Sequence, residues 1–158
     1  MAEHGCIVSI VMNIILALVA EHRLFLATFA SIEAALPSTR RVASVRRLAR
    51  DVEAMLGLHA RAEEDLVLLS LEQLPKHQAW CRTFQRQHQE IDSNLTQALV
   101  TKELATAKRQ LRQAFQYSRR HFAYEERKVF PLLQKWIARD ILEKLGRIWK
   151  HRQNVLLA

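Results

Sequence analysis

The sequence predicts an all-α protein, an antiparallel up-down four-helix bundle with a short fifth C-terminal helix. Three observations predict it. Only three glycines and three prolines occur in 158 residues, 49% of which are apolar, a composition that favours long helices. No stretch alternates apolar and polar over a useful length, and no Asn-Gly or Asp-Gly turn occurs, so strand and hairpin signals are nearly absent. Apolar residues recur instead at alternating steps of three and four, the seam of a helix bundle.

Helix A is expected at about 7–36, with the apolar run 7–20 as its buried start and Pro37-Ser38 as its break. That run is too short for a bilayer, which takes about 20 residues, and Met1-Ala2-Glu3-His4 is no signal n-region. Its seam is Ile15, Leu18, His22, Phe25, Phe29, Ile32 and Leu36. Helix B, about 43–72, carries Val45, Leu48, Val52, Met55, His59, Ala62 and Leu66, and ends at Leu74-Pro75. Helix C, about 76–99, carries Cys81, Phe84, His88, Ile91, Leu95 and Ala98, with Thr101 as a weaker break. Helix D, about 102–136, carries Leu104, Ala107, Leu111, Ala114, Ser118, His121, Glu125, Val129, Leu132 and Trp136. Helix E, about 140–153, closes one end of the bundle or offers a surface for a homodimer. The whole chain, 1–158, reads as one domain with its bundle core at about 12–136.

The formal net charge is +8, with basic clusters at Arg40-Arg41, Arg46-Arg47-Arg50, Arg119-Arg120 and between Lys144 and Arg152. No aromatic residues interleave with them in a nucleic-acid-binding pattern, so they read as solvated helix faces. Cys6 and Cys81 are isolated thiols, which fits a reducing cytoplasm and gives no disulfide framework.

One histidine interrupts each of the first four seams. Short connections make neighbouring helices antiparallel, so residues equally far from a turn share one level. The midpoint of His22 and His59 falls between Arg40 and Arg41, that of His59 and His88 between Gln73 and Leu74, and that of His88 and His121 between Leu104 and Ala105. Each lies within a few residues of an expected turn. Two of the histidines also begin a His-x-x-x-Glu pattern, His59 with Glu63 and His121 with Glu125, and four residues is about one helical turn. Burying two carboxylates without partners would cost several kcal/mol each, and no lysine or arginine shares the seam near that layer. Bound cations or protonation must neutralise them. Imidazole and carboxylate are ligands of iron, manganese and zinc, and two acids that can bridge, flanked by four imidazoles, suit two metals.

The order of ligands narrows the choice. Ferritin-like di-iron bundles place glutamate first, in Glu-x-x-His; here histidine comes first and the step is four. Lone histidine, His-x-x-x-Glu, lone histidine, His-x-x-x-Glu on four helices resembles the hemerythrin family in its bacterial HHE cation-binding branch. Glu21-His22-Arg23, His59 with Glu63-Glu64, and His121 with Tyr124-Glu125-Glu126 and Val129-Phe130-Pro131 carry the resemblance, over roughly residues 12–136. It implies that His22 and His59 bind one iron and His88 and His121 the other, with Glu63 and Glu125 bridging beside an oxo or hydroxo group. Manganese or zinc accept the same donors. The oxygen carriers of that family have a second histidine one turn from the helix C ligand. Here Phe84 and Asp92 stand at that spacing. Asp92 reads as solvated or capping, with ligation as the alternative, and Glu64 and Glu126 are further oxygen donors expected to point away from the bridge.

Phe25, Phe29, Leu66, Phe84 and Phe122 are expected to wall the site. Tyr124 is either a hydrogen-bond donor near the metals or a boundary residue. His4, His77 and His151 lie too far along the chain or the helix axis to join the cluster, and Trp80, Trp136 and Trp149 read as packing residues. What the resemblance implies is a cytoplasmic di-iron protein that binds O2 or NO as sensor, carrier or iron-handling protein, with no membrane partner. A redox enzyme built on the same site (peroxidase, oxidase or NO reduction) is the alternative, and a helical interaction module without functional metal the second.

Overall fold

The computed structural model of the chain describes residues 13–65 and 77–156. Expectations for residues 7–12, Leu66 and the Leu74-Pro75 break lie outside the described residues. Among those described there is no strand. The helices are α1 (Ile14–Ala35), α2 (Val42–Glu63), α3 (His77–Val100), α4 (Leu104–Tyr124), α5 (Phe130–Trp136) and α6 (Arg139–Leu156).

Local chemistry sets the ends. Asn13 caps α1, its side-chain oxygen accepting from the Leu16 N–H at 3.0 Å, which satisfies a donor the first turn leaves free. Pro37 follows in a 3-10 turn, Leu36–Ser38, since proline cannot continue the hydrogen-bond ladder. The Arg46 guanidinium, early in α2, reaches the Val100 and Thr101 carbonyls at the end of α3 at 3.1 Å each, where acceptors have no helical partner. Arg46 and Arg119 are thus more than solvated charge: Arg119 forms a two-pronged pair with Glu33 of α1 at 3.0 and 2.6 Å.

The helix expected at 102–136 is interrupted. A π turn, Glu125–Val129, separates α4 from α5, with the Phe130 N–H bonded five residues back to the Glu125 carbonyl. Pro131 supplies a physical reason: it has no N–H for the carbonyl four residues earlier, and its ring crowds that carbonyl, which a wider turn relieves. The extra residue rotates the inward face. Phe130 and Leu133 are buried at 2% and 1% exposure, while Trp136, expected on the seam, is 55% exposed. α6 is longer than expected, 18 residues.

The seams otherwise follow expectation. Ile15, Leu18, Phe25, Phe29 and Leu36 of α1 are buried, as are Val45, Val52, Phe84, Ile91, Leu95, Ala98, Ala107, Leu111 and Ala114. Two apolar clusters result. One gathers Phe25, Phe29, Leu95, Leu111, Phe115 and Phe122 with their neighbours; the other gathers Ile14, Ile15, Leu18, Val129, Phe130, Leu133 and Leu142. Each fully buried side chain of this kind contributes about 1.5–3 kcal/mol. Along α1, His22 falls between Leu18 of one cluster and Phe25 of the other; along α4 and the π turn, His121 and Glu125 fall between Phe115 and Val129. The polar layer is sandwiched between two dry ones. By length and composition Ile14–Ser38 is apolar enough to cross a membrane, but its His22–Phe25–Phe29 face is buried in this packing.

Candidate metal centre

All six residues singled out in the sequence meet. His22, His59, Glu63 and Glu125 place ligand atoms within 4.8 Å of one another, and so do Glu63, His88 and His121. Glu63 belongs to both groups. Five of the six are buried at 2% exposure or less, and the His88 side chain is 12% exposed.

The imidazoles form two pairs. His22 Nε2 lies 3.2 Å from His59 Nε2, and His88 Nε2 lies 3.0 Å from His121 Nε2. Glu63 stands between them. Its Oε1 is 2.7 Å from His59 Nε2 and 3.8 Å from His22 Nε2; its Oε2 is 3.4 Å from His88 Nε2 and 3.8 Å from His121 Nε2. Glu125 Oε2 lies 3.3 Å from His22 Nε2 and 3.5 Å from His121 Nε2, one histidine of each pair.

The opposite ring nitrogens fix which atom carries the proton. His22 Nδ1 is 2.9 Å from Glu126 Oε1, His59 Nδ1 is 2.8 Å from Glu21 Oε2, and His121 Nδ1 is 3.0 Å from Gln87 Oε1. Carboxylate and amide oxygens only accept, so each Nδ1–H donates and each Nε2 faces inward, where it can take either a proton or a metal. Metal-bound histidines are typically held this way. His88 is the exception: its Nδ1 stands 3.6 Å from Glu64 Oε1, beyond a hydrogen bond.

These supports cross from one helix to another. Glu21 precedes His22 yet serves His59; Gln87 precedes His88 yet serves His121; Glu126 follows Glu125 yet serves His22. Glu64 and Glu126 do point away from the bridge, as expected. Gln87 was not foreseen, although the parallel of Glu21-His22 with Gln87-His88 is a signal for it.

Without a cation the layer is frustrated. Both oxygens of Glu63 and of Glu125 are buried with no hydrogen-bond partner among the described residues, and such groups cost energy unless something compensates them. Protons are one answer. Burial pushes His22 down, but Glu125 and Glu63 hold it up at about 9. Burial likewise opposes charge on His59, yet Glu63 and Glu21 raise it to about 10. Burial disfavours charge on His88, and Glu63 more than offsets it, a net rise. Burial works to raise Glu63, but the facing His59 holds it well below the ordinary range; burial and the charge of Glu63 raise Glu125. The other answer is metal. Neutral imidazole lone pairs and orphaned carboxylate oxygens converging on two points form a donor set for borderline divalent cations.

Aromatic rings wall the layer. Phe122 stacks on His22 at 4.1 Å, Phe25 meets His59 edge-on at 5.0 Å, and Phe84 lies 4.2 Å from His88 and 5.1 Å from His121. Phe29, expected in the wall, stacks instead on Phe115 at 4.4 Å, one layer away. A cavity of about 20 Å³ opens beside the layer, lined by Leu56, His59, Ala60, His88, Ile91, Asp92, His121 and Phe122. Asp92 is exposed at its edge. Tyr124 lies against Trp80, with ring centroids 6.3 Å apart.

Searches of curated proteins and of solved structures returned no match. The family model of the Hemerythrin HHE cation binding domain matches residues 13–133, a stretch that contains both His-x-x-x-Glu patterns, both lone histidines and every described residue that supports them except Gln153 on α6. The chain belongs to the hemerythrin HHE cation-binding family.

Proposed function

We propose that this chain is a non-haem di-iron protein that binds O2 or NO at a carboxylate-bridged site, as sensor, carrier or iron-handling protein. His22 and His59 would hold one metal, His88 and His121 the other, with Glu63 and Glu125 shared between them. The observation that carries this reading is the splayed Glu63 carboxylate, one oxygen toward each histidine pair. Manganese or zinc suit the same donors. The frame we propose is a single domain built as an antiparallel up-down bundle, which accounts for Arg46 near the start of α2 meeting Thr101 just past the end of α3.

Bound ferrous ions supply electrons and Lewis acidity to a diatomic ligand. The chain does the rest. Glu21, Glu126 and Gln87 orient the rings and keep protons on Nδ1. Phe25, Phe84 and Phe122 exclude water. The cavity beside His88 and His121 has room for about one water-sized molecule. Among the described residues, no side chain beyond the proposed ligand set stands there as an acid or base except Asp92 at the edge, which favours binding over turnover. A redox enzyme on the same site is the second reading, favoured by the lack of a histidine at either position one turn from His88, where Phe84 and Asp92 stand. The chemistry is that of a cytoplasmic protein, with a gas rather than a nucleic acid or membrane as partner, and a homodimer is compatible with it.

The test is anaerobic loading with ferrous iron, metal analysis, then exposure to air. Two irons per chain and a stable oxo-to-iron absorption band support binding. Turnover of peroxide or NO with rapid autoxidation supports the enzyme. No metal uptake ends both.

A further inference from the structure

The family match ends at residue 133, yet α6, beyond it, reaches the metal layer. Gln153 Nε2 donates to Glu21 Oε1 at 3.2 Å, and the other oxygen of Glu21 accepts from His59 Nδ1 at 2.8 Å. One carboxylate thus joins the C-terminal helix to a histidine at the heart of the site. The side chain of Glu21 is only 16% exposed, so water competes weakly for its oxygens and the Gln153 contact matters.

The rest of the α6 seat is imperfect. Leu142 is buried against Ile14, Ile15 and Leu18, and Leu145 and Trp149 pack on the same cluster. Trp149 Nε1 is buried with no hydrogen-bond partner among the described residues. A cavity of about 160 Å³ separates α6 from α2, lined by Leu58, Arg61, Ala62, Asp65, Trp149, Arg152 and Gln153. The Arg152–Asp65 pair, at 2.7 Å, is about half exposed on both sides and holds weakly. An unpaired buried donor and a void both lower the cost of letting a helix move.

We propose that Gln153 is a positioning residue of the metal centre, and that through Gln153–Glu21–His59 the docking of α6 and the state of the metal bias each other. The proposal rests on the metal reading above and adds the route by which a change at the buried site reaches the surface. A cation held at His59 Nε2 would draw electron density from the ring, which would make Nδ1–H a stronger donor to Glu21 and hold that carboxylate in place. An ordered Glu21 is a better acceptor for Gln153. By linkage, α6 docking favours the loaded site to the same degree.

The experiment compares amide hydrogen exchange across α6 in the full chain, metal-stripped and loaded with zinc, which is redox-silent. Loading is expected to slow α6 exchange by about tenfold. With both proteins at saturating zinc, Gln153→Leu removes that metal dependence and, in chelator competition, weakens zinc by the same factor, and Gln153→Lys, which can still donate to Glu21, restores both. Two results overturn the proposal while leaving the metal reading intact: α6 exchange indifferent to zinc in the parent chain, or Gln153→Leu speeding exchange equally with and without zinc, the mark of a simple anchor. A chain that takes up no zinc sinks both.

Discussion

The Glu126 carboxylate accepts from His22 Nδ1 at 2.9 Å across 104 residues of chain, whereas Glu64, its counterpart after the other His-x-x-x-Glu, stops 3.6 Å short of His88 Nδ1. The two halves of the centre are therefore supported unequally. His22 and His59 each have a carboxylate behind them; His121 has the neutral amide of Gln87.

Unequal support predicts unequal affinity. Replacing the residue behind a metal-bound histidine typically costs about 10–100-fold in affinity. Glu126→Gln is expected to weaken one of two metals by that factor, and Glu64→Gln to change little. Competition titrations with a chelator read both. Equal effects of the two substitutions would refute the asymmetry.

Glu63 belongs to both groups of candidate ligand atoms, so on the proposed reading its loss should be felt by both positions. Glu63→Ala is expected to lower metal content below that of His59→Ala, and both should lower the thermal midpoint of protein purified with iron. Metal analysis beside a melting curve checks this. Unchanged metal content in both variants would remove α2 from the site.

The metal-stripped protein should have a pH-dependent stability of definite sign. His22 and His59 rise from 6.5 to about 9 and about 10 on folding. A group raised on folding stabilises fully below its unfolded value and loses that contribution as pH climbs through its folded value. Denaturant midpoints of the stripped chain should thus fall between about pH 6.5 and 10. Metal must displace those protons, so apparent affinity rises over the same interval and loading near pH 7 releases acid. A midpoint flat across the range contradicts the proton-filled layer.

Phe84 is 2% exposed and covers the His88 and His121 rings. Phe84→Ala is expected to cost about 3–5 kcal/mol by leaving a cavity, measured by chemical denaturation of the stripped protein. A loss under about 1 kcal/mol would mean the wall closes without that ring.

The π turn makes a paired prediction. Leu133→Ala should cost about 2–5 kcal/mol, while Trp136→Ala, at an exposed site, should stay within about 0.5 kcal/mol. The sequence seam taken alone orders these two the other way.

What the sequence revealed and what it hid divide along one physical line. His22, His59, His88 and His121 came into one layer because helical rise and short connections fix axial position, and both quantities can be counted in a sequence. The inward turn of Glu63 and Glu125 followed from a four-residue step. Gln87 behind His121 left only the Glu21-His22 and Gln87-His88 parallel as a signal, because which ring it serves depends on how neighbouring helices rotate and approach. The exposure of Trp136 was hidden because a π turn adds one residue to the count, and only Pro131 hinted at it. The reach of Gln153 to Glu21 spans 132 residues and leaves no local pattern.

The narrowness of the space shared by His59, His88 and His121, about 20 Å³, has a consequence for what can reach the layer from that side. A solute larger than a few atoms entering there meets Leu56, Ile91 and Phe122 before it meets a histidine of the layer. On the proposed reading a gas would be selected by size on that side, while a bulkier electron donor would have to use another face, such as the polar hollow of about 290 Å³ lined by Arg86, Gln87, Glu90, Tyr117, Arg120 and His121.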